Sequence, residues 1–223
     1  MNIFPDKLTT AAQTCLDNLL ERHAVLRSLQ ESLQQAANML AAVAAGPGTL
    51  LLCGNGGSAA DCDHIVGELL KGFKLARPLP DSVQAQLGDH GELGWRLAAG
   101  LQQGIRAVSL TQHTSFLTAV ANDNGGDLGF AQALWSMAQP QDLLICLSTS
   151  GNSMNVLLAA TAAKALNLPI IALTGKSGGK LAELADVLIA VPETETALIQ
   201  ELHLPIYHAL CAAIEQQCFG SDG

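Results

Sequence analysis

Leu143-Leu144-Ile145-Cys146-Leu147-Ser148-Thr149-Ser150-Gly151-Asn152-Ser153 decides how the chain is read. The apolar run, bounded by polar residues, reads as a buried parallel strand. It stops in three hydroxyls, a glycine, an amide and a fourth hydroxyl. Val156, Leu157, Ala160 and Ala163 then follow near helical spacing. A strand therefore runs through a hydroxyl loop into a helix. The start of a helix carries unsatisfied N–H groups and a partial positive charge. Ser148, Thr149, Ser150 and Ser153 add O–H donors at the same point. Together they form a phosphate cradle without Lys or Arg. Capping of an ordinary helix by Ser and Asn accounts for the same residues.

A second loop favours the cradle. Thr49 to Cys53 is another short apolar run, ending in Gly54-Asn55-Gly56-Gly57-Ser58 before a helical pattern near Ala59. In a parallel sheet the two turns lie on one edge, where ligands bind. A third run, Ile170 to Leu173, ends in Thr174-Gly175-Lys176-Ser177-Gly178-Gly179. A nucleotide P-loop would need a glycine five residues before Gly175, and Ile170 stands there.

The chain has 223 residues, 49% of them hydrophobic, enough for one α/β domain with added helices. Charged residues make up 14%, against roughly 25% in a typical domain. So sparse a charged surface suggests that other subunits cover part of it. The net charge of -9 argues against nucleic acid or an anionic membrane as partner. A phosphate substrate must then be held by local donors. None of the six cysteines forms a C-x-x-C pair, and they read as reduced thiols of a cytoplasmic protein. Met1 to Asp6 has neither the basic start nor the apolar core of a signal peptide. No uninterrupted apolar run approaches the ~20 residues of a membrane helix.

In chain order, residues from about Asp6 to Ala44 are helical in pattern. Leu26, Leu29, Leu33, Ala36, Leu40 and Val43 form a seam suited to packing on another helix, in this chain or another. The helix Ser58 to Leu70 follows the first glycine turn. Lys74 to Pro80 reads as a turn-rich basic patch, and Glu92 to Leu101 as a short helix. A strand is expected at Ile105 to Leu110, with helices at Thr114 to Ala121 and Phe130 to Ala138. A short helix at Leu181 to Ala185 and a strand at Val187 to Val191 come after the third run. Five strands alternating with helices indicate one doubly wound parallel α/β sheet with N-terminal helices.

Two groups carry candidate chemistry. His64 and Glu68 stand at i, i+4, on one face of a helix, where a solvated pair is the plainest reading. The last helical segment holds Gln200, Glu201, His203 and His208. Gln200 and His208 are eight residues apart, a rise of about 12 Å on a straight helix. A kink at Pro205, or ligands shared between subunits, would ease their approach to one ion. Asp61, Cys62, Asp63 and His203 are ligands by type and are assigned to surface or packing.

The three loops, Cys53 to Ser58, Leu147 to Ser153 and Leu173 to Lys180, resemble the sugar isomerase (SIS) domain, and more narrowly its phosphoheptose isomerase branch. The likeness covers roughly Leu50 to Cys218 and is weak between Phe73 and Ile105, where residues 73–104 read as an insertion. The resemblance implies a homotetramer built partly through residues 1–45. It implies a divalent metal, zinc by preference, on His64, Glu68, Gln200 and His208, with Glu68 and His208 in proton transfer. It implies a sugar-phosphate site formed by Asn55, Gly56, Gly57, Ser58, Glu68, Asn122, Asp123, Ser148, Thr149, Ser150, Ser153 and Gln200. The reaction implied is ketose–aldose isomerisation of sedoheptulose 7-phosphate through an enediol. Two departures bear on the substrate: Ala197 replaces an aspartate, and Leu70-Lys71-Gly72-Phe73 replaces a Gly-Arg-Tyr-like context. A replication-initiator-associating SIS module, which binds without catalysis, resembles the same loops but lacks the equivalents of Glu68 and His208. A sugar-phosphate-sensing regulator is a third reading and would need no Glu68.

Overall fold

The computed structural model describes residues 8–220. The readings made on Met1 to Asp6 lie outside them. Five parallel strands form one sheet: β1 (Leu50–Gly54), β2 (Ala107–Ser109), β3 (Leu143–Leu147), β4 (Ile170–Thr174) and β5 (Val187–Ala190). Their order is β2-β1-β3-β4-β5. The chain moves to one side of β1, then returns to β3 on the other. The loops after β1 and β3 therefore flank the topological switch point, where such sheets bind ligands. The register puts Leu50 beside Leu143 and Gly54 beside Leu147, so both loops leave the sheet at one level.

Alternation along the strands sends successive side chains to opposite faces. Leu50, Leu52, Leu143, Ile145, Leu147, Ile171 and Leu173 join the core under one helical layer. That layer is α1 (Thr10–Arg22), α2 (Gln30–Ala45), α3 (Gly57–Leu70) and α9 (Thr196–Phe219). Leu51, Cys53, Leu144, Cys146, Ile170 and Ala172 face the other layer. There α6 (Thr114–Asp123), α7 (Gly129–Met137) and α8 (Met154–Ala165) cover them. Because β1, β3 and β4 are buried on both faces, their residues form apolar runs and do not alternate with polar ones. The Cys53 and Cys146 thiols lie 3.7 Å apart across β1 and β3 as free cysteines.

The helical pattern expected from about Asp6 to Ala44 divides into two α-helices. A 3-10 segment, Ala24–Leu29, separates α1 from α2. His23 has non-helical backbone angles, and no proline or glycine announces the break. The seam Leu26, Leu29, Leu33, Ala36, Leu40 and Val43 is buried in the core of this same chain. Its periodicity is satisfied intramolecularly and carries no information about a partner. α9 is long and apolar enough by length and composition to cross a membrane, but 56% of its most apolar window is buried inside this fold.

Residues 71–104 depart most from expectation. Besides the expected helix, observed as α5 (Gly91–Gly100), an additional helix, α4 (Asp81–Gly88), pairs with it. The basic patch is not a solvated turn. Arg77 is 1% exposed, and its Nε donates to Glu215 Oε1 of α9 at 2.7 Å. Arg77 also donates to the carbonyls of Leu69 at 2.8 Å and Glu68 at 3.3 Å. It thereby caps the C-terminal end of α3, together with the Ile105 N–H, which donates to the Leu69 carbonyl at 2.8 Å. Glu215 also accepts the backbone N–H of Phe73, Lys74 and Leu75 at 2.8, 2.8 and 3.1 Å. Burial raises the Glu215 carboxyl, but these donors and Arg77 outweigh it and hold the group below its ordinary value.

His203, on α9, is fully buried, with Nε2 3.3 Å from the Thr174 carbonyl and no partner at Nδ1. Burial lowers its pKa from 6.5 to about 4. The unfolded chain therefore binds the extra proton between pH 6.5 and 4, so this contribution to stability is lost as pH falls through that window. A shift of this size corresponds to about 3 kcal/mol. In urea titrations from pH 7 to 4, His203→Leu is expected to lose stability less steeply than wild type. Equal slopes would show that His203 takes up its proton at the same pH in both states.

Candidate active site

The two loops at the switch point are joined side by side. Asn55 and Asn155 exchange amide hydrogen bonds at 2.9 and 2.8 Å, tying the glycine turn after β1 to the first turn of α8. Ser148 Oγ and Ser153 Oγ lie 3.2 Å apart across the hydroxyl loop. Ser150 Oγ accepts the Asn152 N–H at 3.1 Å, so its own O–H remains a donor. Gly151 has φ +63 and packs its backbone directly on Gly178 of the loop after β4, leaving no room for a Cβ. The Asn152 carboxamide accepts the Lys180 N–H at 3.0 Å, locking these two loops together.

Thr149 and Ser58 sit in the same two loops, Ser58 buried at the first turn of α3. Gly56 has φ +55, which opens the turn. At Gly57 a Cβ would stand 2.5 Å from the Gln200 amide nitrogen. Glycine here leaves the Gln200 side chain of α9 lying over this turn, and a Cβ would push its amide aside. Asn122 and Asp123 lie at the exposed end of α6, the Asn122 amide donating to Asp123 at 2.7 Å. No hydrogen bond joins either to the two loops among the described residues.

α3 and α9 pack against each other and bring three of the four implied metal ligands together. One donor atom each of His64, Glu68 and His208 falls within 4.8 Å of the others. His64 Nε2 is 3.2 Å from Glu68 Oε1 and 3.4 Å from His208 Nε2. Glu68 Oε2 turns toward Lys71 Nζ at 3.5 Å, so the two carboxylate oxygens have different surroundings. Gln200 stands two turns before His208, over the glycine turn. α9 is continuous through Pro205, so no break in the helix draws Gln200 toward His208.

The neighbours of this cluster include residues the sequence reading had set aside. Tyr207 Oη is 3.0 Å from His64 Nδ1 and donates to Asp61 Oδ1 at 3.2 Å. Asp61, assigned above to surface or packing, is thus part of the arrangement. Its position at i−3 from His64, on the same face of α3, was the available signal. Asp63 instead accepts from Thr111 at 3.0 Å. The Phe73 ring stands 5.6 Å from the His208 ring, held there through the Glu215 contacts to its backbone. Burial, then the neighbouring His64, holds His208 below the ordinary histidine value, favouring the neutral imidazole. Burial, then Asp61, raises the Tyr207 phenol, which stays protonated near neutral pH. Nitrogen and carboxylate donors converging in this way suit a zinc-like cation.

Comparison with known proteins shows the family and the fold. The SIS domain pattern matches residues 101–215 and again residues 16–94. The chain is 41% identical over 198 residues to the phosphoheptose isomerase of Thiobacillus denitrificans, covering 87% of this chain and 88% of that protein. The solved phosphoheptose isomerase GmhA from Neisseria gonorrhoeae superposes with a TM-score of 0.70 at 33% identity, covering 92% of this chain and 96% of that one. A phosphoheptose isomerase from Francisella tularensis gives a TM-score of 0.72 at 28% identity, with the same coverage. With the sheet order, the joined loops and the His64–Glu68–His208 cluster all in place, this chain belongs to the SIS domain family and, within it, to the phosphoheptose isomerases, a branch of sugar-phosphate isomerases.

Proposed function

We propose that the protein interconverts sedoheptulose 7-phosphate and glycero-manno-heptose 7-phosphate through an enediol. The observation that carries this reading is the meeting of the Glu68 carboxylate with two imidazoles on the helices that pack around the glycine turn. The names of the relatives support the substrate class. In this reading Ser148, Ser150 and Ser153, with Thr149, Ser58 and the amides of the Asn55-Gly56-Gly57 turn, hold the phosphate. Asn122 and Asp123 belong to the sugar end of the site. Glu68 takes the proton from C1 of the ketose and returns it to C2. His208 gives a proton to O2 and takes one from O1, so the sum is an isomerisation with no net proton change. His64, Glu68, Gln200 and His208 would hold zinc. When bound, the metal supplies polarisation of the carbonyl and hydroxyl oxygens.

The test is solvent deuterium incorporation at C1 or C2 of sedoheptulose 7-phosphate, with and without chelator. Exchange that disappears with chelator supports the reading. No exchange from any ketose phosphate, in a folded and zinc-loaded sample, would favour the non-catalytic binding module. The cradle has its own test. Replacing Ser150 and Ser153 together by Ala should raise KM roughly tenfold to a hundredfold, since each hydrogen bond to a charged group is worth ~1.5–3 kcal/mol. An unchanged KM would remove these hydroxyls from the phosphate site.

The same proposal includes a cytoplasmic homotetramer. The free cysteines support a reducing compartment. The sparse charge and the exposed Leu93, Trp95, Leu97 and Leu101 on and beside α5 support burial between copies.

A further inference from the structure

Tyr207 stands between two residues of α3, and each of its contacts constrains the other. Its phenol has one hydrogen and an oxygen that accepts. The O–H points to Asp61 Oδ1 at 3.2 Å, and an ionised carboxylate only accepts. The hydrogen is then committed to Asp61. At His64 Nδ1, 3.0 Å away, the phenol oxygen must be the acceptor, so Nδ1 carries the proton. A neutral imidazole with Nδ1–H has a bare lone pair at Nε2. That nitrogen faces Glu68 Oε1 at 3.2 Å and His208 Nε2 at 3.4 Å. Packing supports the geometry as well: Tyr207 is 2% exposed, and its ring stands edge-on to the His64 ring at 5.5 Å. Among the described residues Asp61 Oδ2 is buried without a partner, and Tyr207 is the side-chain donor to this carboxylate.

We propose that Tyr207, held by Asp61, is a positioning residue that fixes His64 as the Nδ1–H tautomer and turns the Nε2 lone pair into the space shared with Glu68 and His208, where a cation and not a hydrogen would lie between Nε2 and the carboxylate. The proposal deepens the metal-site reading above and rests on it only for the use made of that lone pair. An outer-sphere partner on the second ring nitrogen fixes orientation and tautomer of a ligating histidine, and its loss typically costs ten- to a hundredfold in metal affinity. Here the partner is a phenol backed by a carboxylate. The residue numbers explain the arrangement: Asp61 and His64 share one face of α3, and Tyr207 immediately precedes His208 on α9. One helix contact therefore places both the imidazole that Tyr207 orients and the imidazole that completes the cluster.

The experiment uses metal-free full-length protein labelled with 15N-histidine, at about pH 8.5, well above the ordinary histidine pKa of about 6.5. Long-range 1H–15N correlation reads the tautomer of each ring, and the His64 signals are assigned by their loss in His64→Asn. Wild type should show His64 as Nδ1–H. Tyr207→Phe removes one oxygen and should move His64 toward the Nε2–H form that predominates in free histidine. Zinc affinity by chelator competition should fall ten- to a hundredfold in the same variant. A wild-type His64 that is Nε2–H or doubly protonated would overturn the proposal without reference to any variant. An unchanged tautomer in a folded Tyr207→Phe would overturn it too. If the tautomer responds as expected but wild type binds no zinc, the positioning role stands and the metal-site reading fails.

Discussion

Glu68→Gln is expected to lower kcat by about 10²–10⁴-fold, the usual contribution of a positioned acid or base. His208→Asn should do the same. Both substitutions are close to isosteric. Neither touches the hydroxyl loop, so phosphate-ester binding should persist. The geometry sharpens the expectation for Glu68. Its Oε1 faces His64 and its Oε2 faces Lys71, so a carboxamide keeps some of the contacts and loses only the charge and the basicity. Deuterium exchange into substrate should vanish together with turnover. Loss of turnover with exchange intact would move these residues to a later step, such as product release. Full activity in either variant would remove it from proton transfer.

Arg77→Met is expected to cost about 3–5 kcal/mol of stability, because it leaves Glu215 as an unpaired charge in the core. Equilibrium urea unfolding of variant and wild type measures it. In many buried pairs, replacing both partners by apolar groups restores the loss. That should fail here. Glu215 also accepts three backbone N–H groups of residues 73–75, and a double Arg77→Met, Glu215→Leu variant would leave those part-buried donors without their acceptor. Activity should fall as well, since the same contacts hold Phe73 beside His208 and cap the helix that carries Glu68. A double variant as stable as wild type would show that the 73–75 backbone finds other partners.

Much of the fold was legible because its signals are local. A strand buried on both faces must be an apolar run, so β1, β3 and β4 appeared at nearly their observed limits. The Gly/Ser/Asn endings of these strands marked a candidate ligand edge, because phosphate cradles need small residues and N–H donors at a helix start. His64 and Glu68 shared a face by helical spacing alone. Periodicity, however, reports that a face is buried and not what buries it. The seam Leu26 to Val43 read as suited to a partner helix, and the structure shows it in the core of its own chain.

Tertiary structure decided what depends on distance across the sequence. Arg77 looked like part of a solvated basic turn, because a charge carries no local sign of a partner 138 residues away. Asp61 looked like surface until Tyr207, 146 residues on, was placed against it. A kink at Pro205, or ligands shared between subunits, was expected to ease the approach of Gln200 and His208 to one ion; α9 runs through Pro205 continuously, and the packing of α9 on α3 sets which groups of this chain meet. Residue types and spacing along the chain determined the strands, the hydroxyl and glycine loops that follow them, and the candidate ligands of this protein. Which imidazole faces which carboxylate, and what orients it, is a property of two helices in contact, since a hydrogen bond depends on ångström-scale geometry that no pattern along a single segment encodes.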